Sequence, residues 1–196
     1  MRLAAAGLAT LHQSGVRVGD GVGWRDSFDE VARMLERLRG AVPASGLDEA
    51  ISPLLQRLEK LGAEGPAEAA VPSHGSFAPE QVLIHRGRVA IIDFDGLCQA
   101  EPAMDVGQFV AAFPDLALKA VGGDPGGRDR LFDRADVLSE EFLAEYEQLA
   151  PVSRERVTLW RALHFTVEAL RTWTKPKAVG GSGDLAILEH YVSLMG

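Results

Sequence analysis

Between Ser73 and Asp105 the sequence reads SHGSFAPEQVLIHRGRVAIIDFDGLCQAEPAMD, and the side chains best suited to chemistry gather there. His74 leads, with Ser76 two residues on, Gln81 seven on and Asp93 nineteen on, followed by Asp95 and Asp105. Asp93 and Asp95 offer two carboxylates to a hard divalent cation, although Asp is also common in solvated turns. Ser76 brings a hydroxyl, which is neutral and far too weakly basic to stand in for a carboxylate as a general base near neutral pH.

These groups need a loop and a short sheet to hold them. Val82 to Ile84 and Arg88 to Ile92 are β-rich runs around His85, Arg86 and Gly87, which predicts a tight hairpin with its tip in solvent and makes it the main sheet. The rest reads as helix. Leu3, Gly7, Leu8 and Leu11 form one stripe in residues 1 to 13, and Ser27 with Glu30 has the pattern of a capping box ahead of Val31, Leu35 and Leu38. Ser52 and Pro53 read as an N-cap and first helical position for a helix carrying Leu54, Leu55, Leu58 and Leu61, with an earlier start near Leu47 as the alternative. Helices over Pro102 to Phe113 and Arg130 to Leu149 follow, then one capped by Ser153 and a last one capped by Asp184. Segments 62–72, 121–130 and 175–183 read as linkers. The fold class is therefore mainly α with a small β-hairpin (α+β), in a single domain over residues 1–196. Its loop region spans 73–105 and its helical subdomain 106–196.

Charge and composition exclude several classes. A net charge of −8 opposes binding to nucleic acid or anionic membrane, whereas an acidic cleft would suit a cationic small molecule. The single cysteine, Cys98, leaves no intramolecular disulfide and no thiolate zinc cluster. No apolar run approaches a membrane span, so the expected location is the cytoplasm. His12, His164 and His190 show no metal-ligand spacing and read as packing or surface residues. Trp160, Trp173 and Phe165 read as core, and Glu168 and Asp184 as solvated carboxylates.

Residues 73–105 resemble the aminoglycoside phosphotransferase and choline kinase group, enzymes with a protein-kinase-like fold. In that group the catalytic loop reads His-Gly-Asp with Asn five residues after the Asp, and a metal-binding Asp follows a hairpin in an Ile-Asp-Phe/Trp context. LAAAGLATLHQ resembles the helix that opens the group's C-terminal lobe. Carried over residue by residue, His74 and Gly75 match, Ser76 stands at the catalytic Asp, Gln81 at the Asn and Asp93 at the metal-binding Asp. Asp105 matches a downstream Asp that fixes the catalytic loop. The resemblance implies Mg2+ and ATP as cofactors, with Gln81, Asp93 and neighbouring Asp95 as metal ligands. It implies a kinase-like C-terminal lobe, since no Lys precedes Lys60 to serve as the strand Lys of an N-terminal β-lobe.

Two readings follow. One is a phosphotransferase whose ancestral activity, ATP-dependent phosphorylation of a small-molecule hydroxyl, is impaired by Ser76 or depends on an N-lobe. The other is a non-catalytic, pseudokinase-like module that binds a small molecule or a partner protein. The first reading takes its N-lobe from another subunit; on the second, Phe77, Leu97 and the hairpin form an exposed apolar patch that takes a partner protein or a second copy of the chain.

Overall fold

The computed structural model describes residues 1–17, 19–41, 47–121 and 128–174; the helix expected from Asp184, the 175–183 linker and His190 lie outside them. Six helices are described: α1 (Arg2–His12), α2 (Trp24–Ala41), α3 (Leu47–Glu64), α4 (Pro102–Val121), α5 (Arg128–Glu147) and α6 (Arg154–Thr174). Four short strands make two antiparallel pairs, β1 (Val71–Ser73) with β4 (Cys98–Ala100) and β2 (Val82–His85) with β3 (Arg88–Ile91). The architecture is mainly helical with a minor β component, as expected.

The hairpin forms where alternation and turn chemistry agree. Val82 faces Ile91 and His85 faces Arg88, and the two-residue turn puts Arg86 at φ 48° and Gly87 at φ 75°. Two successive left-handed residues match the right-handed twist of the strands they join. The hairpin is the longer of two strand pairs and not the sole sheet. β1 and β4, with Val71 opposite Ala100 and Ser73 opposite Cys98, form a second pair whose first strand begins at the end of the 62–72 segment that reads as linker, and Gly21 adds a bridge to Gln99.

Several helix starts differ from the sequence reading. α2 begins at Trp24, and the Gly23 N–H donates to Asp26 Oδ2 at 2.9 Å. That contact is the reaching-back half of a capping box, so the Ser27/Glu30 pattern lies inside the helix. α3 takes the earlier start and carries Pro53 within it, and Ser52 is engaged by the Arg39 guanidinium at 2.8 Å instead of capping. α4 runs past Phe113 through Pro114. Ser153 does cap α6, accepting from Arg156 N–H at 3.2 Å. In α1 the buried face is Ala4, Ala5, Leu8, Ala9 and His12, rotated from the Leu3/Leu11 stripe.

The core runs beneath the loop of residues 73–77. Phe77 is fully buried and stacks on Phe109 of α4 at 4.9 Å between centroids, and Phe109 meets Phe142 of α5 at 4.2 Å. Burying each ring contributes about 1.5–3 kcal/mol. Phe77 therefore belongs to the core and not to an exposed patch. Trp160 and Phe165 are core residues as expected. A buried ion pair ties α6 to α3 and to the residue before α4: Arg156 grips Glu101 through two hydrogen bonds of 2.6 and 2.7 Å and donates to Gly62 O at 3.2 Å. No helix among the described residues is long and apolar enough to cross a membrane.

Candidate functional site

The loop that follows β1 is held by its backbone. Asp105, in the first turn of α4 and fully buried, accepts from His74 N–H at 2.6 Å through Oδ2 and from Gly75 N–H at 2.9 Å through Oδ1. One turn along α4, the Gln108 side chain accepts from Phe77 N–H at 3.1 Å and donates to Gly75 O at 3.2 Å. Gly75 sits at φ 82°, and a Cβ there would collide with the Gly96 carbonyl, so the loop and the Asp93–Gly96 turn meet backbone to backbone. Only glycine serves at that position.

A second layer holds the clamp. His12, at the end of α1, places Nε2 at 3.1 Å from Asp105 Oδ2 and Nδ1 at 2.6 Å from the Tyr146 hydroxyl of α5. A carboxylate only accepts, so Nε2 carries the hydrogen; in the neutral ring Nδ1 then accepts from Tyr146. Burial, with Asp105 nearby, pushes the Tyr146 phenol well above its ordinary value, so it stays a donor. The same two causes raise the Cys98 thiol to about 11, which leaves it an inert buried thiol. Sequence spacing gives His12 a packing role only, because its partners lie 93 and 134 residues away.

The outer rim carries the chemistry-bearing positions. Ser76 is exposed, while His74 is fully buried between Phe77 and Phe94, with ring centroids at 5.7 and 5.0 Å. His74 Nε2 lies 2.9 Å from Ile92 O, and Nδ1 lies 3.4 Å from Ser76 Oγ. Gln81 ends a single helical turn, Pro79–Gln81, and its carbonyl accepts from Ile92 N–H at 3.0 Å. This brings Gln81 beside the residue before Asp93. Asp93 is exposed and held in the left-handed region at φ 67°, ψ 59°, a conformation that concentrates at functional sites. Asp95 is exposed in the same turn.

Gln81 Oε1 is buried with no hydrogen-bond partner among the described residues. A buried amide oxygen left open is a group that a hard cation could take, with its remaining ligands from carboxylate, water or phosphate. No group of three or more His, Cys, Asp or Glu among the described residues is placed to enclose a metal. Gln81 and Asp93 are the residues here that could hold such a cation, with Asp95 in the same turn as Asp93.

The phosphotransferase enzyme family matches residues 1–136. The chain belongs to that family. Its fold is shared with choline kinase LicA from Streptococcus pneumoniae, 19% identical over 98% of this chain and 63% of that one, TM-score 0.62. A choline/ethanolamine kinase family protein from Mesorhizobium loti is 16% identical over 97% of this chain and 60% of that one, TM-score 0.68. A glucosamine kinase solved with glucosamine, ADP and inorganic phosphate is 20% identical over 98% of this chain and 52% of that one, TM-score 0.59. No curated protein matches the chain in sequence. The chain thus spans between about half and two-thirds of the length of these structural neighbours, with which it shares its fold.

Proposed function

We propose that the chain is the loop-bearing lobe of a small-molecule phosphotransferase whose ATP-dependent transfer to a hydroxyl is impaired. The observation that carries this reading is the contrast within one loop: Asp105 holds the backbone of His74 and Gly75, while the next residue presents the Ser76 hydroxyl. Losing a carboxylate that accepts the proton of the attacking hydroxyl costs about 10²- to 10⁴-fold in rate. Asp93 and Gln81, with Asp95 beside them, would hold Mg2+, and the ion when bound neutralises phosphate charge. The acidic chain and a neighbour solved with glucosamine support an amine-bearing, cationic substrate.

A thermal-shift titration of the chain with ATP and Mg2+, repeated on Asp93→Ala, tests the reading. Binding at 100 times Kd raises apparent stability by about 2.7 kcal/mol. A rise in the parent that vanishes in the variant supports it, and no rise in either protein overturns it. Absence of a rise would favour the second reading, a binding module without catalysis. That reading draws on the exposed Leu83, Ile84, Ile92 and Phe94 around the hairpin, a surface suited to a partner protein or a second copy.

A further inference from the structure

We propose that Ser76 and His74 form a hydroxyl–imidazole dyad, making Ser76 a covalent acceptor for electrophilic phosphorus. The tautomer follows from geometry. Ile92 O can only accept, so the His74 Nε2 at 2.9 Å carries the hydrogen, and in the neutral ring Nδ1 is left as a bare acceptor. That nitrogen faces Ser76 Oγ at 3.4 Å, a nucleophile–base spacing of the looser kind found in unliganded sites. The arrangement has the three parts an activated serine needs: a hydroxyl, a base and a third group orienting the base. His74 is locked by burial between Phe77 and Phe94, while Ser76 faces solvent.

The surroundings choose the electrophile. Acyl transfer needs amide donors for an oxyanion. Here the His74 and Gly75 N–H groups are taken by Asp105 and that of Phe77 by Gln108. Transfer to phosphorus rests on positioning together with electrostatic stabilisation of the phosphoryl oxygens, and an electrophile activated by its own leaving group asks least of the site. In the step, the Ser76 Oγ–P bond forms and the bond from phosphorus to its leaving group breaks. The Oγ proton passes to His74 Nδ1 and from there to the leaving group. The product of the step is a phosphorus ester on Ser76 Oγ. The dyad does not depend on the phosphotransferase reading, because the probe supplies its own electrophile and no ATP.

The test is labelling of the full chain with a fluorophosphonate, from which fluoride leaves, followed by peptide mass mapping. The expected result is an adduct on Ser76, absent in Ser76→Ala and slowed about 100-fold or more in His74→Gln. Labelling of Ser76 no faster than that of the exposed Ser14, or unchanged in a folded His74→Gln, overturns the proposal. Should that variant unfold, the 15N spectrum of the His74 ring in the parent decides: a pyridine-type Nδ1 supports the dyad, and a protonated Nδ1 refutes it.

Discussion

Beneath the 73–77 loop, buried groups meet one another in sequence: Tyr146 to His12, His12 to Asp105, Asp105 to the amides of His74 and Gly75. On its outer side Ser76, Asp93 and Asp95 are exposed, and Gln81 Oε1 has no hydrogen-bond partner among the described residues. The two sides obey different constraints. A buried carboxylate must keep its donors, because an orphaned partner costs about 1–3 kcal/mol. The exposed rim residues Ser76, Asp93 and Asp95 carry no such penalty, so their identities are free to change with the chemistry; the buried Gln81 Oε1 is the exception. The clamp therefore holds the loop of this family member, and on the proposed reading the rim decides the activity.

The comparison breaks most visibly at Ser76. Ser76→Asp puts a carboxylate on an intact clamp, and if the rim alone limits phosphoryl transfer the rate rises by about 10²- to 10⁴-fold. Release of ADP in the presence of glucosamine or a related amino sugar would measure it, with a urea melt unchanged within about 0.5 kcal/mol. A variant that stays silent while binding ATP would mean that Gln81 or the nucleotide contacts also limit the reaction.

Asp105→Ala attacks the other side. It strands the His74 and Gly75 amides and the His12 ring at once, so we expect a loss of about 3–5 kcal/mol, the range for breaking a buried charged network from one end. Urea denaturation of the variant measures it. A loss below about 1 kcal/mol would show that the loop is held by Phe77 and Gln108 without help from the carboxylate.

The two sides also differed in how far they could be read from sequence. The rim stood in one segment, and its His-Gly-Ser, hairpin and Asp-Phe-Asp spacing was legible because loop and turn chemistry are local. The hairpin announced itself through alternation and Arg86-Gly87, and α6 through Ser153. The clamp was half legible. Asp105 followed from family resemblance, whereas His12 and the Glu101–Arg156 pair depend on contacts spanning 93 and 55 residues that no periodicity encodes. β1 and β4 escaped because three-residue strands, one containing Pro72, show no alternation. The start of α2 misled because Ser27/Glu30 and Gly23/Asp26 both offer capping chemistry, and packing of Trp24 against Gly62 of α3 and Trp160 of α6 favours the earlier register.

A weaker contrast separates two histidines. His12 has a partner on each ring nitrogen, whereas His164 in α6 is pushed below its ordinary value chiefly by burial. Glu168 and Arg171 in the same helix act in opposite directions on it. For a histidine whose folded value is depressed, the unfolded chain takes up the proton first, so stability falls as pH drops below about 6.5 and is unaffected above it. Glu68 works against this at lower pH: burial raises its carboxyl, which favours the folded protein as protons bind. The expected signature is therefore a difference. Between pH 7.5 and 5 the urea midpoint of the parent should fall relative to that of His164→Gln, with the divergence beginning near 6.5. Parallel curves would mean that the ring is hydrated in the folded state, and that burial in α6 is looser than around the Asp105 clamp.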